Sequence, residues 1–231
     1  AHSKEPMGIS DISGKLELNK STVFNIAHTL MDLNVLEHQP DGKFALGTRF
    51  YILGNMAGKR SEFLQIAHPY LERINKETRL SAFLGLRSDR QVMLIDKVDS
   101  ANGIKLSSEI GMQMPVLAGA GIKAMLSQLS DYEIDDILDR TELKRYTPNS
   151  ITDKAVYKKE ILEVRDQGIA YDREEYIEGM VAFAIPVQAN GRDLQAAIWA
   201  VGLTRQVPED TVPELAEMLK GISEEIRYRL Q

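Results

Sequence analysis

Apolar residues recur along the first fifty positions with two different periods. In "GISDISGKLEL", Ile9, Ile12 and Leu16 fall three and four apart, which predicts a short helix with Gly8 as its N-cap and Asp11 in the first turn. "NKSTVFNIAHTLMDL" sets Val23, Ile26, Ala27, Leu30 and Leu33 on one helical stripe, leaving Lys20, Ser21, Thr22, Asn25, His28, Thr29 and Asp32 toward the other side. The runs in "VLEHQPDGKFALG" alternate around Pro-Asp-Gly, where Pro presets φ and Gly accepts a positive φ, so a β-hairpin is predicted. Helix, turn, helix and hairpin, in that order, make a winged helix-turn-helix.

Beyond this point "GTRFYILGNMAGKR" mixes apolar residues with glycines, as suits a connecting helix that is loosely held or packs on a partner. Leu64, Ala67, Leu71 and Ile74 then form a clean helical stripe, placing a boundary near Lys59 and Arg60. "RLSAFLGL" and "QVMLIDKV" read as a hairpin across "RSDR", and "GIKLSSEI" as a further strand. "PVLAGAGIKAMLSQL" becomes helical after its small residues, and "DKAVYKKEILEVRDQG" is a helix ended by Gly168. "MVAFAIPV" and "LQAAIWAVGL" read as strands around "ANGRD", before a final helix carrying Val212, Leu215, Leu219, Ile222 and Ile226. Strands that come in hairpins predict an α+β fold with a mostly antiparallel sheet. The expected organisation is a winged helix-turn-helix over 1–48, a linker helix over 49–60, and a second domain over 61–231.

Charge narrows what the first domain does. The chain has 231 residues, with 28 Lys and Arg against 34 Asp and Glu, a formal net charge of -6, so any grip on a polyanion is local. Charged residues within 1–55 sum to -1, yet no acid lies between Lys20 and Met31. Lys20, Ser21 and Thr22 at the helix start are phosphate candidates, Asn25 one turn on is a candidate for adenine, and Lys43 on the wing is a further phosphate candidate. The plainer reading of the same residues is a capped, solvated helix and a solvated edge charge.

The chemistry available elsewhere is limited. Zero cysteines exclude disulfides, thiolate zinc sites and cysteine nucleophiles. The four histidines are scattered without HExxH spacing, and the acids Asp172, Glu174, Glu175 and Glu178 of "YDREEYIEG" lack EF-hand spacing and read as a solvated loop. There is no P-loop, dinucleotide fingerprint or G-x-S-x-G elbow, so neither an enzyme nor a cofactor is expected. No apolar run is long enough to span a bilayer and no signal peptide is legible, so a cytoplasmic protein is expected. The small residues of "VLAGAGIKAML" could bind an anion at a helix start or pack a helix against the sheet. Trp199, the single Trp, fits either a core or a pocket wall.

In their order and spacing, "KSTVFNIAHTL", "PDGKFALGTRFYILG", "IDKVDS", "GMQMPVLAGAGIKAML", "YTPNSITD" and "VRDQGIAYDREEYIEGMVAFAIPV" resemble the IclR family of bacterial transcriptional regulators across nearly the whole chain. The resemblance implies a winged-helix DNA-binding domain, a linker helix used in dimerisation, and a C-terminal effector domain with a GAF-like sheet. It further implies a homodimer or homotetramer on a palindromic double-stranded operator, modulated by a small organic or aromatic acid. By matching position, effector contact is expected at Leu106, Ala120, Gly121, Asp172, Met180, Ala182 and Trp199. Glu17 stands where the family's tight turn usually has Gly, Asn25 where a basic residue is common, Ile122 where Gly is usual, and Ala182 where Cys is frequent. The helix that usually precedes the motif is largely missing, so an N-terminal segment is expected to precede the sequence. The competing expectation is an oligomeric metabolite sensor without sequence-specific DNA binding.

Overall fold

The structure, a computed structural model, describes residues 6–50, 52–54, 62–88, 91–100, 108–115, 117–188 and 195–230. The chain divides into two compact units, residues 1–62 and 63–231.

The first unit is held largely by turns and caps. Helix α1 (Ile9–Leu16) starts at Gly8, whose N–H donates to the Asp11 carboxylate at 3.1 Å. It stops because Glu17 turns into the left-handed region, with φ 54° and ψ 33°. There a side chain costs roughly 1–2 kcal/mol that glycine avoids. Helix α2 (Lys20–Asp32) follows at once. Its predicted apolar stripe is only partly covered: Val23 and Ala27 are buried, Leu30 is half-buried, and Ile26 and Leu33 each remain 48% exposed. Strands β1 (Leu36–His38) and β2 (Phe44–Leu46) pair antiparallel across the predicted turn, where the Gly42 N–H (φ 81°) donates to the Gln39 carbonyl at 3.0 Å. The wing returns against the end of α2 so closely that a Cβ on Gly47 would lie 2.3 Å from the Asn34 carbonyl oxygen. Residues 48–50 and 52–54 are helical; most of the expected linker lies outside the described residues.

The second unit is a three-layer α+β fold. Its strands are β3 (Ser81–Ser88), β4 (Gln91–Val98), β5 (Gln113–Met114), β6 (Ala170–Arg173), β7 (Met180–Val187) and β8 (Gln195–Leu203). They run antiparallel throughout, in the order β5-β4-β3-β8-β7-β6. Side-chain alternation separates two cores. Phe83, Ala182, Ala184, Ala197 and Trp199 face helices α4 (Ala120–Leu126), α5 (Asp131–Arg140) and α6 (Lys154–Gln167). Leu84, Phe183, Ile185, Ile198 and Ala200 face α3 (Glu62–Thr78) and α7 (Val212–Arg229). Burial on both faces is why "AAIWAV" reads as a continuous apolar run although its neighbours are antiparallel.

One local expectation needs correction, and two short elements go beyond the sequence reading. A short outer strand forms at Gln113–Met114; of "GIKLSSEI", residues 108–110 are non-strand and 103–107 lie outside the described residues. Helix α5, which no pattern in the sequence reading predicted, opens on a reciprocal cap of Ser130 and Glu133, with Glu133 accepting from the Ser130 N–H at 2.8 Å. Strand β6 occupies the start of the acidic run read as a solvated loop, and Asp172 within it is buried.

Candidate functional site

Two sites emerge, one in each unit. On α2, Lys20, Ser21, Thr22 and Asn25 are all exposed in the first two turns. Asn19 caps the helix in extended conformation without a side-chain hydrogen bond, so the helix start offers its N–H groups outward. Lys43 stands on the wing, where its Nζ lies 3.3 Å from the Asp41 carboxylate. Surface pairs of this kind contribute at most about 1 kcal/mol, so a phosphate competes with Asp41 for Lys43 at small cost.

In the second unit a cavity of about 190 Å³ opens between the concave sheet face and the start of α4. Ala120, Gly121, Asp172, Met180, Ala182 and Trp199 all line it; Leu106 lies outside the described residues. Strand register explains why they converge. Asp172 pairs with Ala182 and Ala182 with Val201, one row across β6, β7 and β8; Ala184 pairs with Trp199 and Trp199 with Phe83, the next row. The Phe83 and Trp199 rings meet edge to face at 5.8 Å.

Trp199 is itself fitted between two glycines. A Cβ on Gly85 would lie 2.7 Å from the indole's six-membered ring, and one on Gly121 2.9 Å from the same ring. Close packing therefore accounts for Gly121, as the plainer reading of the small residues holds. The anion reading of the helix start changes, because a Cβ on Gly119 (φ 82°) would come 3.4 Å from Asp172 Oδ2. The carboxylate beside the start of α4 is the chain's own.

Asp172 is 7% exposed, and burial pushes its carboxyl up to about 6. The Glu175 N–H, donating to Asp172 Oδ1 at 2.7 Å, and the Lys123 charge pull the other way, while the Glu175 charge adds to the rise. Burial also raises the Tyr176 phenol, which lines the cavity and packs edge to face on Tyr146 at 5.1 Å. Among the described lining residues no side chain is cationic. The chamber is thus an apolar slot with a carboxylate acceptor at one end, suited to holding a small ring and accepting a hydrogen bond from it.

Comparison with known proteins decides the family. The model described as "Bacterial transcriptional regulator IclR C-terminal" matches residues 56–228, and the IclR helix-turn-helix domain matches residues 1–40. The chain belongs to the IclR family of bacterial transcriptional regulators. Among relatives of this family, the HTH-type transcriptional repressor AllR of Salmonella typhimurium is 25% identical over 223 residues, covering 96% of this chain and 82% of its own. The Thermotoga maritima IclR structure superposes with a TM-score of 0.74 at 27% identity, covering 99% of this chain and 93% of that one. An IclR homolog from Microbacterium hydrocarbonoxydans, solved in complex with 4-hydroxybenzoate, shares the fold, with a TM-score of 0.82 at 20% identity over 100% of this chain and 93% of that one.

As an IclR-family protein the chain is a DNA-binding transcriptional regulator, with the helix-turn-helix in its first unit and the IclR C-terminal domain in its second. Among the described residues no helix is long and apolar enough to cross a membrane, and no group of three or more His, Asp or Glu side chains is placed to hold a metal ion. Sequence reasoning missed Phe83, Met112, Met114, Tyr176, Ile177 and Val201 in the cavity wall. Phe83 and Val201 were reachable by extending strand register from Trp199 and Ala182. Tyr176 and Ile177 carried no signal beyond the acidic run around them.

Proposed function

We propose that this regulator couples a small hydroxylated or carboxylated ligand with an apolar body, in the cavity of the second unit, to operator binding by the first. Lys20, Ser21, Thr22 and Lys43 take phosphates and Asn25 reads an adenine edge, within a homodimer or homotetramer on a palindromic operator, joined through the linker helix over 49–60. The protein acts in the cytoplasm and is not an enzyme: its ligand changes a binding equilibrium and is not consumed.

The observation that carries this reading is the apolar cavity with Asp172 at its end. A void of about 150 Å³ takes benzene, so about 190 Å³ suits one substituted ring. A hydroxyl on that ring donates to Asp172, and any carboxylate on the ligand points away from it, since two carboxylates in an apolar slot repel. The 4-hydroxybenzoate in the Microbacterium hydrocarbonoxydans homolog is a ligand of this class. For the regulator to respond, the ligand must bind the DNA-competent and DNA-incompetent states unequally, and DNA must alter ligand affinity by the same factor.

A gel-shift of the full-length protein on the DNA upstream of its own gene, with and without ring acids, tests the coupling. Trp199 is the single Trp and lines the cavity, so its fluorescence reports occupancy. Sequence-selective binding that shifts in the ligand range that changes Trp199 emission is expected. Ligand-saturated protein with unchanged operator affinity would overturn the coupling.

A further inference from the structure

Behind the cavity lies a charged side chain that no reading of the sequence singled out. Lys123 follows the cavity-lining residues of α4 by one position and is 0% exposed. Its Nζ donates to Glu175 Oε1 at 2.8 Å and to Glu160 Oε2 at 3.2 Å. Glu160 is partly solvated on α6, but the Glu175 carboxylate is only 15% exposed. An ammonium taken wholly out of water persists only where its partners are held in good geometry, so the Lys123–Glu175 contact constrains both ends.

What Glu175 carries matters to the pocket. Its backbone N–H is the donor to Asp172 Oδ1, and the next two residues, Tyr176 and Ile177, are cavity wall. The segment leaves β6 through Glu174 at φ 62°, a left-handed conformation that a non-glycine residue holds only when its surroundings enforce it. Thr147 Oγ1 donates to the Glu174 carbonyl at 2.6 Å and Ser150 Oγ to the Glu175 carbonyl at 2.7 Å, fixing the outer side of the same turn. Lys123 supplies the inner tether, from the helix that forms the opposite wall.

We propose that Lys123 is the positioning residue of the ligand site: through Glu175 it fixes Asp172 and the Tyr176–Ile177 wall against α4, and so sets the preference for ligands that donate a hydrogen bond. The proposal rests on the effector reading of the cavity. Lys123 touches no ligand; it acts through the segment that does.

The test uses the full chain and two variants. Lys123→Met combined with Glu175→Gln removes both charges of the tether together, leaving the partly solvated Glu160 behind, and replacing a buried pair in this way is often neutral for stability. Glu175→Gln alone leaves Lys123 paired with Glu160 and serves if the double variant does not fold. The first measurement needs no ligand: hydrogen exchange of amides 174–180 against those of β8. Exchange in 174–180 about tenfold faster in the variants, with β8 unchanged, is expected for loss of about one charged hydrogen bond. The second is calorimetry with 4-hydroxybenzoate and benzoate, where the wild type is expected to prefer the hydroxylated ring and the variants to lose that preference.

Wild-type protection of 174–180 in a folded variant overturns the proposal. So does an equal weakening of both ligands together with faster exchange throughout the sheet, the pattern of a merely structural lysine. If the wild type binds neither acid, the effector reading fails for this ligand class, and the exchange comparison still decides whether Lys123 positions the segment.

Discussion

The two units obey the same periodic code but spend it differently. In the first, the described buried apolar residues are Val23, Ala27 and Phe44, while Leu16, Ile26, Leu33 and Leu46 stay 48–62% exposed. In the second, both faces of the sheet are covered, and Leu84, Ile134, Ile161, Ile185, Ile198, Leu219, Ile222 and Ile226 are all fully buried. Period alone therefore identifies the side of a helix that is apolar, not whether anything covers it. A unit that buries little must rely on caps and turns, each contributing on the order of 1 kcal/mol, whereas a buried branched side chain contributes roughly 1.5–3 kcal/mol. Local geometry dominates the helix-turn-helix unit and packing dominates the C-terminal one.

The sharpest test pairs one isoleucine from each unit. Ile198→Ala is expected to destabilise the second unit by about 3–4 kcal/mol through lost transfer energy and a cavity, whereas Ile26→Ala costs the first unit no more than about 0.5 kcal/mol. Chemical denaturation followed by hydrogen exchange in each unit separates the two, and equal costs would erase the contrast. Next in size is Gly85→Ala, whose Cβ would lie 2.7 Å from the Trp199 ring and 2.8 Å from Met125 Cε. An overpacking cost of about 2 kcal/mol is expected, with a blue or red displacement of Trp199 emission; unchanged emission and stability would mean the indole is not pinned there.

Asp172→Asn tests the pocket's electrostatics with a definite sign. In the folded chain burial pushes the carboxyl up to about 6, from an ordinary value of 3.8 in the unfolded chain. As pH rises from about 4 to about 6 the unfolded chain gives up this proton first, so the group's contribution to stability falls across that window. Above it the wild type bears the whole cost of a buried charge. The Asn variant is expected to be more stable than wild type by about 1–2 kcal/mol near neutral pH, with the gain vanishing below about pH 4. A pH-independent difference would show that Asp172 is not the titrating group. The smallest effect is expected at Glu17→Gly, which relieves the left-handed strain but adds freedom to the unfolded chain, for a net gain of about 0.5–1 kcal/mol in the first unit. A loss of stability there would mean that Glu17 makes a compensating contact.

Much of the fold was legible because it is written locally. Spacings of three and four marked α1, α2, α3 and α7, the Gly168 stop marked α6, Pro-Asp-Gly marked the wing, and apolar runs marked β3, β4, β7 and β8. "YDREEYIEG" reads as a solvated loop by its acids, yet β6 pairs through backbone groups that ignore side-chain charge, and α5, which was not predicted at all, needs only Ile134 and Leu138 on one face. In the site, resemblance carried six residues into the cavity wall, but it could not supply Tyr176 or Ile177, which follow a turn that Lys123, Thr147 and Ser150 bond from distant segments.

By itself, then, the sequence determined the order of helices and hairpins, the acid-free stretch of α2 from Lys20 to Met31, and the two-part organisation, since each depends on residues within a few positions of one another. Only the tertiary structure decided that the carboxylate at the start of α4 is Asp172, that burial holds its proton to about 6, and that Lys123 is matched by Glu175. Those properties arise where segments about fifty residues apart exclude water together, and hydration and charge pairing in that shared space are not properties of any one segment.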